Sequence, residues 1–184
     1  MAYPAKTDGS LILTAAMELV EEEGVEKLAI RPVAARLGLA PNALYRYYSS
    51  LAELQAALIT ESRSRVLDMM QRAAGRKTPV DAIRAMCDAY LRFSQEHPAI
   101  FSLTAKNTGN GQEWDAERLR NCSAFIDQVR RLYGDELAPQ AAHALWAFLH
   151  GMIVLREAGA LDKARFSATF KFGFDTWINA APKR

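Results

Sequence analysis

Residues 38–50 read GLAPNALYRYYSS: a glycine, a proline three residues on, then Leu44 to Tyr48 with tyrosines on both sides of Arg46 and no acidic residue. Pro41 suits the first turn of a helix, where its missing N–H costs nothing. A small helix needs one apolar stripe to dock on its domain, and Leu44 and Tyr48, four residues apart, supply it. At about 100° per residue, Asn42 and Arg46 then fall on the opposite side. Tyr45 flanks that outer face on one edge, with Ala43 and Tyr47 on the other. A DNA major groove recognises groups of this kind. Arg and Asn make bidentate contacts to guanine and adenine, and a small methyl meets that of thymine. Tyrosine hydroxyls donate to phosphate oxygens.

The flanking sequence fits a helix-turn-helix, two short helices joined by a tight turn with a glycine. The spacing predicts a short helix from Ile30 to Leu37 with Val33, Ala34 and Leu37 inward, and Gly38 offers the left-handed turn residue. Ahead of it, Ser10 is expected to cap a first helix running to about Glu23, with Leu11, Ala15, Leu19 and Val20 on one side and Gly24 as the stop. From Lys27 to Ser50 the chain holds four cations, Lys27, Arg31, Arg36 and Arg46, and no acid. Glu18, Glu21, Glu22, Glu23 and Glu26 cluster just before. A local basic face thus coexists with a net charge of only +2.

Helical periodicity also dominates the rest of the 184 residues, half of them apolar, and no alternating strand pattern is evident. A long helix is expected from Leu51 to about Ala74. Thr78-Pro79-Val80-Asp81 then reads as a cap, opening a helix that carries Val80, Ile83, Met86, Cys87, Tyr90, Leu91 and Phe93. KNTGNGQ, residues 106–112, is the clearest loop. Three more helices follow, roughly 113–133, 139–158 and 163–180, with Gly134 and Gly159 as stops and Asp162 as a cap. The expected fold class is all-α with about nine helices: an N-terminal three-helix bundle with the helix-turn-helix over residues 1–53, and a larger C-terminal helical bundle over 54–184. Cys87 and Cys122 stand without metal-ligand spacing and read as reduced thiols. The N-terminus lacks a signal-peptide stretch, and the uncharged run 141–155 is too short for a membrane span. A cytoplasmic protein with no membrane partner is expected.

LAIRPVAARLGLAPNALYRYYSSLAEL, residues 28–54, resembles the DNA-binding domain of TetR-family transcriptional regulators, over a stretch from about Leu11 to Leu58. Ala34, the Leu37-Gly38-Leu39 turn, Leu44-Tyr45, the aromatic Tyr48 and Glu53-Leu54 carry the resemblance. It implies that Arg31 reaches a base edge or phosphate, that Pro41, Asn42, Ala43, Arg46 and Tyr47 face the groove, and that Tyr45 touches the backbone. The chain departs from the family at three places. Ala29 and Ala40 replace the usual hydroxyl caps of the second and third helices, and Leu51 replaces a phosphate-binding lysine.

HPAIFSL at 97–103 and WAFLHGMIVL at 146–155 resemble a C-terminal domain type of the same family. The resemblance implies a homodimer formed by the last two helices. The expected interface residues are Leu145, Phe148, Leu149, Phe170, Phe174 and Trp177. Two recognition helices related by a two-fold axis would read a palindromic double-stranded DNA operator. Met86, Tyr90, Phe93, Phe101, Trp114, Phe125, Trp146, His150 and Met152 are candidate walls of a pocket for an apolar or aromatic effector, although such residues at helical spacing equally fill a core. His97, His143 and His150 show no metal spacing, and neither a nucleophile elbow nor a phosphate loop is present. The expectation is therefore a ligand-released repressor, without metal, cofactor or enzymatic activity. The alternative is a helical protein-interaction module that does not read DNA.

Overall fold

The computed structural model describes residues 8–106 and 123–182. Among them the protein is all-helical: α1 (Gly9–Glu23), a 3-10 turn (Val25–Lys27), α2 (Ile30–Arg36), α3 (Pro41–Leu44), α4 (Leu51–Ala74), α5 (Pro79–Glu96), α6 (Pro98–Lys106), α7 (Ser123–Glu157) and α8 (Lys163–Asn179). The expected loop at 106–112 falls almost wholly outside the described residues, as do the start of the expected 113–133 helix, Trp114 and Cys122.

The chain forms two compact units. One comprises residues 1–65 with 95–109, the other 66–94 with 110–184. In the first unit, α1 packs against α2, the 3-10 turn and α6, and α2 packs against α3. Ile12, Ala15, Ala16, Leu19 and Val20 of α1 are buried, whereas Leu11 is turned outward, 48% exposed. The cap of α1 is Asp8 and not Ser10: its carboxylate accepts from the Leu11 N–H at 2.9 Å and from the Ser10 hydroxyl at 2.7 Å. An acid two residues earlier satisfies the orphan N–H and complements the helix dipole, and Ser10 becomes a first-turn residue. Gly24, at φ 92°, ends the helix by donating to the Val20 carbonyl at 2.9 Å.

In the second unit, α7 is broken at Gly134 (φ 77°, ψ 169°), so the expected stop there is a break between two helical stretches. Pro139 lies shortly after the break. Along the second stretch, Ala142, Leu145, Leu149 and Met152 form a buried stripe. α8 starts at Asp162, whose carboxylate accepts from the Arg165 N–H at 2.8 Å. It packs on α7 through Tyr133 and Trp177, rings 4.9 Å apart, and through the Trp177 indole N–H, which donates to the Ala141 carbonyl at 2.9 Å. Arg84 of α5 lies over the Phe174 ring at 4.2 Å and pairs with Asp175 at 3.0 Å. Gly173 allows a close approach, since a Cβ there would stand 2.3 Å from the Phe148 ring. Cys87 is fully buried, and burial pushes its thiol well above the ordinary value, so it is a neutral core group.

Candidate nucleic-acid interface

The turn between α2 and α3 is closed by the backbone. Gly38, at φ 66°, donates to Ala35, and the Leu39 N–H reaches back to the Ala34 carbonyl at 2.9 Å, the Schellman arrangement that needs a left-handed residue at this position. Neither Ala29 nor Ala40 makes a side-chain cap, so α2 and α3 begin with their first N–H groups unserved by a neighbouring hydroxyl. Pro41 occupies the first turn of α3. The helix is shorter than the periodicity suggests, a single turn prolonged by bonds from the Tyr47 and Tyr48 N–H groups to the Leu44 carbonyl at 2.9 and 3.0 Å.

That extra turn preserves the rotation on which the reading of the face depends. Leu44 is fully buried and Tyr48 is 9% exposed. Burying a side chain like Leu44 contributes roughly 1.5–3 kcal/mol, which anchors a helix too short to hold itself. Asn42 and Arg46 are exposed, as are Tyr45 and Tyr47 at 51% and 41%, while Pro41 and Ala43 are half-buried. The Tyr48 phenol donates to the Gly9 carbonyl at 3.3 Å, tying the recognition segment to the start of α1. Burial pushes this phenol up, with the Glu53 and Glu61 carboxylates adding to the shift, so it stays a neutral donor. Downstream, the segment is fixed by the cap of α4. The Ser50 hydroxyl accepts from the Glu53 N–H at 3.1 Å, and the Glu53 carboxylate accepts from the Ser49 N–H and hydroxyl, both at 2.6 Å. These bonds hold the Glu53 carboxyl below the usual range.

The basic face is smaller than the residue count implies. Arg36 donates to Glu22 at 2.6 Å and lies 3.5 Å from Glu23, so its charge is answered within the unit. Arg31 and Arg46 are exposed and have no ion pair among the described residues. Nothing in the one-dimensional pattern linked Arg36 to glutamates more than a dozen residues earlier.

In the second unit, the Tyr90 phenol lies 3.4 Å from His150 Nδ1, and Trp146 is stacked on His150 at 5.2 Å. Met86 and Phe125, with Leu67 and Met70, line a cavity of about 40 Å³. Ligand pockets run to roughly 300–1,000 Å³, so this cavity has room for little more than water. Phe93 and Met152 are buried in the same unit, whereas Phe101 belongs to the first. A wide open depression of about 560 Å³ at the start of α5 is lined by charged side chains including Arg76, Asp81 and Asp88, and by none of the aromatic candidates. Of the expected interface residues, Leu145, Leu149 and Phe174 are buried by their own chain; Phe148, Phe170 and Trp177 are partly exposed. Among the described residues no group of His, Cys, Asp and Glu is placed to hold a metal, and no helix is long and apolar enough to cross a membrane.

A glycine-turned helix pair anchored by Leu44 and presenting Asn42 and Arg46 outward belongs to the class of helix-turn-helix DNA readers. Residues 12–58 match the family model for bacterial regulatory proteins of the tetR family, and residues 83–176 match that for the tetracyclin repressor-like C-terminal domain. The chain belongs to the TetR family of DNA-binding transcriptional regulators. It is 29% identical, over 92% of its length and 79% of the relative's, to an uncharacterized HTH-type transcriptional regulator of Mycobacterium tuberculosis. The fold is shared with a TetR family transcription regulator from Marinobacter aquaeolei (TM-score 0.70, 18% identity, 95% of each chain). It is also shared with a TetR variant from Acinetobacter baumannii in complex with minocycline (TM-score 0.68, 19% identity, 95% of this chain and 96% of that one). This is a family of regulators and not of enzymes, so the alternative of an interaction module without DNA reading is set aside.

Proposed function

We propose that the protein is a repressor that binds a palindromic operator as a homodimer and is released by a small apolar or aromatic effector. The observation that carries the DNA reading is the division of α3 and its following turn into a buried side, Leu44 and Tyr48, and an exposed side, Asn42, Tyr45, Arg46 and Tyr47. On this reading Asn42 and Arg46 contact base edges, Pro41, Ala43 and Tyr47 line the groove, and Tyr45 and Arg31 meet the backbone or a base edge. Residues 1–53 then read DNA, and 54–184 dimerise and bind the effector. A DNA reader of this kind works in the cytoplasm.

The dimer face follows from the outward side of α7. Ala144, Ala147, Gly151, Val154 and Leu155 recur at helical spacing without a charge, and Val154 and Leu155 are half exposed. Phe172 of α8 is 75% exposed. An uncharged stripe of this length is suited to an identical stripe across a two-fold axis. The effector reading draws support from the minocycline bound to the relative of the same fold, and from Tyr90, His150 and Trp146 turned toward one another inside the second unit. An effector releases DNA only by as much as it prefers the state in which the paired heads do not match the operator.

The test is to retain fragments of the source genome on the purified protein and sequence them. An enriched palindrome is expected, and Arg46→Ala and Tyr47→Ala should each weaken binding to it, by about 1–3 kcal/mol for the arginine. Specific binding that survives both substitutions would remove the recognition face proposed here.

A further inference from the structure

The inward stripe of α7 ends in a charge. Ala142, Leu145, Leu149 and Met152 follow one another at intervals of three and four residues and are all at least 96% buried. The next position in that series, four residues on, is Arg156. Its Nη2 donates to the Ser94 hydroxyl of α5 at 2.9 Å, and its guanidinium lies 5.1 Å from the centre of the Phe166 ring of α8. Ser94 is 1% exposed, and its own proton goes to the Leu91 carbonyl at 2.8 Å, so both partners are held in place. Arg156 Nη1 is buried and has no hydrogen-bond acceptor among the described residues. No carboxylate there pairs with this guanidinium, and a guanidinium does not lose its proton. A buried donor on a charged group is normally answered, because leaving it unanswered carries the whole desolvation cost.

We propose that the missing acceptor is the carboxylate of the effector, and that the effector is a monocarboxylate with an aromatic or alkyl body. Nη1 offers one charged edge of a planar fork, which suits a carboxylate. A phosphate would ask for several further donors, and this place supplies one unanswered nitrogen beside Phe166 and Met152. The body of the ligand would lie back along the seam between α5 and α7, toward the His150–Trp146 stack and Tyr90. A second copy of the chain is the less suited occupant, because Arg156 continues the buried stripe and not the outward one that holds Val154 and Leu155.

The proposal rests on the effector reading above, and the experiment separates the two. Full-length protein is titrated calorimetrically with phenylacetate, 4-phenylbutyrate and decanoate, each beside its primary amide, and separately with the neutral dye Nile red. At least one acid should bind about tenfold or more tightly than its amide, the scale of a hydrogen bond to a charged group. That preference should vanish in Arg156→Gln and survive in part in Arg156→Lys. The acid-to-amide ratio of the unaltered protein decides the matter even if Arg156→Gln does not fold. Acid and amide binding alike, or an acid preference that outlives Arg156→Gln, would overturn the carboxylate anchor; dye displaced by the amide would then leave the effector reading standing. No binding of acid, amide or dye would remove both. An Arg156→Gln protein that loses self-association while keeping its acid preference would assign the guanidinium to the partner copy and overturn the proposal.

Discussion

In the first unit, Asn42, Tyr45, Arg46 and Tyr47 stand exposed on a turn and a half of helix held down by Leu44, whereas in the second, Tyr90, Ser94, His150 and Arg156 turn toward one another between long helices. Both units are built from amphipathic helices, so the difference does not lie in their secondary structure. It lies in what each does with polar side chains. The first keeps its core almost purely apolar and leaves donors facing water, where a large polar polymer can take them. The second draws donors inside, where only a small molecule or a neighbouring helix can reach. A DNA-reading surface is therefore legible as exposure, and the proposed effector site as polarity out of place.

The strongest way to break the comparison is to remove the anchor of the exposed face. Leu44→Ala deletes a fully buried side chain and should cost about 2–5 kcal/mol, all of it in the first unit. Operator binding should disappear. In protein carrying Trp114→Phe, thermal unfolding followed by the fluorescence of Trp146 and Trp177, both in the second unit, should keep its midpoint while the far-ultraviolet signal acquires an earlier step. A tryptophan transition that falls together with the first step would mean that the two units unfold as one. Gly173→Ala makes the opposite test in the second unit. Its methyl would meet the far end of the Phe148 ring, so the ring must move, and a loss of roughly 1–3 kcal/mol is expected on the tryptophan signal. DNA affinity per dimer should be unchanged once the protein is fully paired.

The two regions also differ in how far their sequence could be read. Leu44 and Tyr48 define a face because they stand four positions apart on a helix, so Asn42 and Arg46 fall on the opposite side. The break at Gly134 and the cap at Asp162 were legible for a similar reason: local geometry demands those residue types. Asp8 displaced Ser10 because two candidate caps two residues apart compete to begin the same helix, and pattern alone does not rank them. The Arg36–Glu22 pair is a tertiary fact, invisible until α1 and α2 are packed. In the second unit the aromatic and Met positions fit a core as well as a pocket, and Leu145 and Phe174, expected at the dimer interface, are buried within their own chain. Arg156 escaped notice because it follows a long apolar run and reads as the natural cation of a helix C-terminus.

A smaller change would sharpen the first unit's role without touching its fold. Leu51 opens α4 where the family resemblance implies a phosphate-binding lysine, and it is half-buried. Leu51→Lys should steepen the dependence of operator affinity on salt by about one unit in the double-logarithmic slope and tighten binding at low salt for any duplex. An unchanged slope would mean that the start of α4 does not approach the backbone.

The smallest effect expected is acid sensitivity, and it should be alike in the two units. Hydrogen bonding to Arg36 holds the Glu22 carboxyl below its ordinary value, and Lys171 followed by Arg84 does the same for Asp175. A carboxyl with a depressed folded pKa binds fewer protons in the native than in the unfolded chain. It therefore stabilises the native state fully above its ordinary pKa, and that contribution is lost as pH falls through the depressed one. Glu22 is exposed and Asp175 partly so, and the loss should be slight and should shrink further in high salt. Glu22→Gln should flatten the acid limb of the first unit's melting curve between about pH 5 and 3 and leave the tryptophan-detected limb as it was; Asp175→Asn should do the reverse. Replacing Glu22 and Glu23 together by Gln should also free Arg36, adding a cation beside the recognition face and raising affinity for non-operator DNA. If the double replacement flattens the acid limb and leaves non-operator binding unchanged, Arg36 lies beyond reach of the phosphates, and the basic face consists of Arg31, Arg46 and Lys27 alone.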